Sequence, residues 1–246
     1  MSRVDLLGPY STPTPVRVMH VVHCLGTHGR TGGMEYGVIK LANGGDPARV
    51  LTAGCSTRTA DPAIRVLPEP TFAYYECGGR RGNDPGVVHS LYRIFRQFRP
   101  HIVHTHGWGT LLEGMAAARL ARVPRIVHGE HGTLQARGYQ RWIQRVAWGQ
   151  ADEVLTVSSR LADRLARDVC FPRARLRTIR NGVDLDRFRS PARQDVRREL
   201  GIEDDVVVFG TVGRLVPVKD HATLLRAFAG TVQRQPRTAL FFAGDG

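Results

Sequence analysis

The chain has 246 residues, 42% of them hydrophobic, and a formal net charge of +13 at pH 7. That length and apolar share exclude a disordered chain and leave room for one large domain or one and a half ordinary ones. Lys40 and Lys219 are the only lysines, so the charge comes almost wholly from arginines spread along the chain. Such basicity suits phosphorylated substrates, an anionic membrane surface or nucleic acid. The last has no helix-turn-helix, zinc-finger or aromatic RNA-binding signature behind it, and no nucleic acid is expected. Cys24, Cys55, Cys77 and Cys170 form no C-x-x-C pair and predict reduced core thiols in a cytoplasmic protein. No apolar run approaches the length of a membrane span, and residues 1–15 lack the apolar centre of a signal peptide.

After a polar leader to Pro15, residues 16–25 (VRVMHVVHCL) read as a central strand that runs into a glycine-rich loop at 26–33, with a helix over 34–42. A loop of this kind lets the backbone approach a phosphate or a sugar closely. The dinucleotide fingerprint G-x-G-x-x-G is missing, and the next strand, near 50–55, carries no terminal acid for a ribose, so a nicotinamide cofactor is not expected. Strands follow at 72–77, 101–106, 125–130, 153–157 and 176–179. They alternate with helices marked by Val87, Leu91, Ile94 and Phe98, by residues 111–120 and 136–148, and by Leu161, Leu165 and Val169. Six or seven strands alternating with helices imply a doubly wound parallel sheet.

Beyond Asn181-Gly182-Val183-Asp184 the composition turns to charge and turn residues. Ser190-Pro191 reads as a helix start that Gly201 would stop. The expected organisation is an α/β domain over 1–185, a connector over 186–205 and the start of a second α/β domain over 206–246. The run 206–209 looks like a parallel strand buried on both faces. Gly213, Arg214 and Lys219 come next, and Leu224, Leu225, Phe228 and Val232 then mark a helix. Two cations between the carboxyl end of a strand and the amino end of a helix suit a diphosphate, since a guanidinium forks onto phosphate oxygens and an ammonium adds a point charge. A last strand covers 239–243.

Five motifs in order, Gly32-Gly33-Met34-Glu35, Arg99-Pro100-His101-Ile102-Val103-His104-Thr105-His106, Asn181-Gly182-Val183-Asp184, Gly213-Arg214-Leu215 with Pro217 and Lys219, and Gly244-Asp245-Gly246, resemble those of the retaining glycosyltransferases of family 4. The resemblance implies a GT-B fold: one complete Rossmann-like, doubly wound parallel-sheet domain on the acceptor side and the start of a second that binds a nucleotide-sugar. It implies that Arg214 and Lys219 neutralise the donor diphosphate, that Gly32, Gly33 and Gly213 line the donor site, and that His131 faces the donor sugar across the cleft. Glu35 matches an acid at the family's first helix and reads equally as a helix-start residue.

The implied reaction moves a sugar from a nucleotide-diphosphate-sugar to a glycan or lipid-linked acceptor with retention of configuration. No metal or cofactor is expected, and His104, His106 and His128 have no acid or cysteine to complete a ligand set. A lipid-linked acceptor would bring peripheral contact with an anionic membrane at its inner face. The family's E-x7-E element would lie downstream of Gly246, so the second domain is expected to be incomplete and the 246 residues alone inactive. The alternatives are a noncatalytic remnant or a basic nucleic-acid-binding protein.

Overall fold

The computed structural model describes residues 15–25, 33–59, 71–80, 84–132, 138–183, 185–186 and 193–244. Residue contacts divide the chain into two compact units, Met1–Gly182 and Val183–Gly246.

The first unit is a seven-stranded sheet in the order β3-β2-β1-β4-β5-β6-β7, parallel at every pairing. Its strands are β1 (Val16–Val22), β2 (Val50–Ser56), β3 (Ala73–Glu76), β4 (Ile102–His106), β5 (Arg125–Glu130), β6 (Glu153–Thr156) and β7 (Leu176–Thr178). Five helices join them: α1 (Gly33–Asn43), α2 (Pro85–Phe98), α3 (Trp108–Leu120), α4 (Gly138–Gln150) and α5 (Ser159–Val169). This is the doubly wound order, and the strand sequence reverses between β1 and β4, where such sheets open a crevice at their carboxyl ends.

Alternation along the central strands sorts side chains onto two faces. Met19, Val21, Val103, Ile126 and Val154 point into the main core. There they meet Leu91 and Phe95 of α2, Leu111 and Met115 of α3, Trp148 of α4 and Leu165 of α5. The fully buried residues of α2 are Val87, Leu91 and Phe95, and Ile94 and Phe98, which the sequence pattern placed on the inward face, pack partly buried against the same core. On the other face Val22 and Leu25 pack against Val38 and Ile39 of α1 in a smaller cluster. Helix ends follow local chemistry. Asp84 caps α2 ahead of Pro85, and the Ser158 hydroxyl accepts from the Leu161 amide at 3.1 Å to cap α5. Cys24 and Cys55 are buried and Cys77 is half-buried, but Cys170, at the carboxyl cap of α5, is exposed and is not a core thiol.

The second unit contains α6 (Arg193–Glu199), β8 (Val207–Val212), α7 (His221–Arg234) and β9 (Thr238–Ala243). β8 and β9 pair in parallel as a two-stranded sheet. The expectation that residues 206–209 are buried on both faces is not met: Val207 is 46% and Phe209 42% exposed. One neighbouring strand and one helix cannot cover both faces of a strand, so the apolar run stays open. Ser190, Pro191 and Asp184 lie outside the described residues.

Candidate functional site

In the second unit β8 ends at Val212, and the next residue, Gly213, has a φ of 152°, a conformation that side chains rarely adopt. Its amide donates to the Ala243 carbonyl at 2.9 Å, and a Cβ on Gly244, at the end of β9, would lie 2.0 Å from the Gly213 oxygen. The two strand ends therefore close on each other through bare backbone. The loop continues through Arg214 into a 3-10 turn, Pro217–Lys219, then to Asp220 and α7. The Lys219 side chain folds back over Gly213, with Cε 3.5 Å and Nζ 4.0 Å from the place a Cβ there would occupy. The His221 ring donates through Nε2–H to the Arg214 carbonyl at 3.0 Å, which ties the loop to the helix start. Arg214 and Lys219 are both exposed, and among the described residues neither has an ion-pair partner. The amino end of α7 is not free, since the Asp220 carboxylate accepts from the Thr223 amide at 3.3 Å. An incoming anion thus meets the two cations and the glycine backbone, while the helix end is already satisfied by its own acid.

In the first unit β5 sends Ile126, His128 and Glu130 to the core face and Gly129 to the opposite one. Glu130 is buried and accepts from His128 Nε2–H at 3.0 Å and from the Gln144 amide of α4 at 2.8 Å. His128 Nδ1 lies 2.8 Å from the Thr105 hydroxyl of β4.

The opposite face holds a second set. His20 Nδ1 lies 3.0 Å from His106 Nε2, and His106 Nδ1 lies 3.0 Å from His131 Nε2. The ring of His104 sits 4.0 Å from that of His106, and its Nε2 is buried without a partner. Strand register explains the gathering: His20 pairs with His104, and His106 pairs with Gly129, where a Cβ would lie 3.0 Å from His104 Nε2 and 3.3 Å from His131 Nε2. Burial holds His20 down at about 4. It holds His104 and His106 well below the usual imidazole value, with the neighbouring imidazoles adding to the effect. His131, half-buried just past β5, is lowered by burial against an opposing pull from Glu130. Neutral imidazoles are metal ligands in principle. The set with nitrogens within 4.8 Å of one another is His20, His104 and His106, whereas His128, grouped with the last two on sequence, points to the other face.

Gly33 opens α1, where a Cβ would meet no described atom within 4 Å, and Glu35 stands in the helix's first turn. Gly32 lies outside the described residues. At the carboxyl ends of β1 and β2 a small depression is lined by His23, Thr57, Arg58, Arg80 and Glu113. His23 there is lowered by burial first and by Arg58 second. The sequence reading missed this depression, as it missed His20. Neither has a local motif, because both depend on which strands become neighbours.

The model of Glycosyltransferase Family 4 matches residues 31–187. An Escherichia coli UDP-Gal:alpha-D-GlcNAc-diphosphoundecaprenol alpha-1,3-galactosyltransferase is 28% identical over 169 residues, covering 64% of this chain and 43% of that protein. A D-inositol 3-phosphate glycosyltransferase of Catenulispora acidiphila is 26% identical over 261 residues, 95% of this chain and 58% of that protein. The chain thus spans about half the length of the curated relatives it matches. Among solved structures, Anabaena HepE in complex with UDP and glucose superposes with a TM-score of 0.71 at 19% identity, over 94% of this chain and 61% of that one. This likeness concerns the fold, which is of GT-B type.

Proposed function

The chain belongs to glycosyltransferase family 4, and on that premise we propose that it serves the transfer of a sugar from a nucleoside-diphosphate-sugar to a glycan or lipid-linked acceptor, with retention at the anomeric carbon. The observation that carries the reading is the pair of exposed cations Arg214 and Lys219, without an ion-pair partner among the described residues, beside the bare backbone of Gly213 at the carboxyl end of β8. When the bond from the anomeric carbon to the diphosphate breaks, negative charge grows on the leaving oxygens. Fixed cations at that place act more strongly on the transition state than on the ground state. Gly32 and Gly33 are assigned to the donor site, and His131 is the polar group offered to the sugar. The acceptor is assigned to the first unit, where Arg58 and Arg80 border the depression at the ends of β1 and β2. The names of the two relatives, one acting on a diphosphoundecaprenol and the other on an inositol phosphate, support an acceptor that carries phosphate.

Calorimetric titration with UDP and with UDP-glucose tests the donor site. Losing one charge-assisted contact costs about 1.5–3 kcal/mol, so Arg214→Ala and Lys219→Ala should each weaken binding roughly ten- to a hundredfold. Unchanged affinity in both variants removes the pair from the site.

Membrane contact has its own observation. One side of α4 exposes Tyr139, Trp142 and Val146 beside the exposed Arg141 and Arg145, a combination suited to an anionic headgroup layer. No described helix is long and apolar enough to cross a membrane. Sedimentation with vesicles of phosphatidylglycerol should exceed that with phosphatidylcholine, and Trp142→Ala should reduce it. Equal sedimentation with the two lipids rules this surface out.

A further inference from the structure

His106 is bonded at both ring nitrogens, to His20 on one side and to His131 on the other, each at 3.0 Å. A neutral imidazole has one N–H and one bare nitrogen, so it can hold two such neighbours only by donating to one and accepting from the other. The direction is therefore passed along the row. If His20 donates from Nδ1, His106 accepts at Nε2 and carries its proton on Nδ1, and His131 accepts at Nε2 and carries its proton on Nδ1. If the row runs the other way, all three carry the proton on Nε2. A mixed set breaks at least one of the two bonds.

We propose that His20 and His106 are positioning residues that fix the tautomer of His131, and so decide whether the Nδ1 it turns toward a ligand is a donor or an acceptor. The functional meaning rests on the reading that His131 meets the donor sugar; the coupling itself does not. Three features support it. Burial and the neighbouring imidazoles hold the row neutral at pH 7. His20 and His106 are 5% and 3% exposed, so water does not compete for their nitrogens. None of the three forms an ion pair with a described carboxylate, so no acid pins the proton and each ring's tautomer is set by the next. A hydroxyl facing a bare Nδ1 must donate and one facing Nδ1–H must accept, so a locked tautomer fixes how a sugar hydroxyl is turned.

A divalent metal on His20, His104 and His106 is the competing use of the same nitrogens. Tetrahedral zinc with bonds of about 2.0–2.1 Å holds its ligand nitrogens roughly 3.4 Å apart. It would consume the bond between His20 and His106 and open the row.

Long-range proton–nitrogen NMR of the chain with nitrogen-15 histidine at pH 7.5 tests the coupling, with single His→Gln variants for assignment. His20, His106 and His131 are expected to share one tautomer, and His20→Phe is expected to leave His131 averaging between both while its folded backbone spectrum persists. A mixed tautomer set in the unaltered chain overturns the proposal, and so does a His131 tautomer unmoved by His20→Phe. Should His20→Phe not fold, the pattern in the unaltered chain decides alone. One equivalent of zinc is expected to leave the three signals in place, and their displacement overturns the relay in favour of a metal site. Failure to bind UDP-glucose with the pattern intact would sink the donor-site reading and not this one.

Discussion

Strands β4 and β5 send histidines to both faces of the sheet, and the two sets are built differently. On the main-core face His128 donates to Glu130 within β5, and Glu130 also accepts from Gln144, so one buried carboxylate holds two directed bonds, one of which ties β5 to α4. On the opposite face His20, His104, His106 and His131 gather with no described acid among them; His20, His106 and His131 are joined by nitrogen-to-nitrogen bonds whose direction depends on the tautomer, and His104 is in ring contact only. A carboxylate is acceptor only, so the first set has one arrangement. An imidazole can be turned either way, so the second set has two. The comparison separates a histidine that braces the fold from a row that can be set.

The largest expected effect breaks the first set. His128→Leu strips a buried carboxylate of one of its two side-chain donors, and losing a hydrogen bond to such a group costs about 1.5–3 kcal/mol. His104→Leu on the other face should cost under about 1 kcal/mol, because His104 Nε2 is already buried without a partner and loses no bond. Urea unfolding of the two variants measures the contrast, and equal losses would mean that the faces do not differ as described.

Acid should act on the second set. The histidines of this face have folded values below their unfolded ones, so the unfolded chain binds more protons in acid. Their contribution is complete above about pH 6.5 and is lost as pH falls toward the folded values. For His20, held at about 4, the loss by pH 4 is on the order of 3 kcal/mol. His20→Phe should therefore flatten the fall in stability between pH 7 and pH 4, and an unchanged slope would place the acid sensitivity elsewhere.

The sheet was legible because central parallel strands announce themselves as apolar runs between helices, and Arg125–Glu130 was read to the residue. The place of Arg214 and Lys219 between β8 and α7 was legible for a similar reason, since a strand, glycine loop and helix are contiguous in the chain. The sequence reading did not include Asp220, whose carboxylate competes for the start of α7. The burial of 206–209 was misread because an apolar run reports what a strand can bury and not what stands beside it. His20 was out of reach, since it meets His106 across 86 positions and only the register of β1 on β4 brings the two together.

The smallest effect on stability is expected at Gly129, and it probes the row most selectively. Its φ is not positive, so alanine is compatible with the backbone and should stabilise by about 0.4–1 kcal/mol through the unfolded chain. Against this, the added Cβ would stand 3.0 Å from His104 Nε2, 3.3 Å from His131 Nε2 and 3.6 Å from His106 Nδ1. His104 can yield without losing a bond at that nitrogen. The bond between His106 and His131 has the Cβ beside both its atoms, and it cannot lengthen far from 3.0 Å and survive. Gly129→Ala should therefore change stability by no more than about 1 kcal/mol while freeing the tautomer of His131. Urea unfolding and the histidine nitrogen spectrum read the two quantities separately. A large loss of stability with the His131 tautomer still fixed would show that the space around Gly129 serves packing rather than the imidazole row.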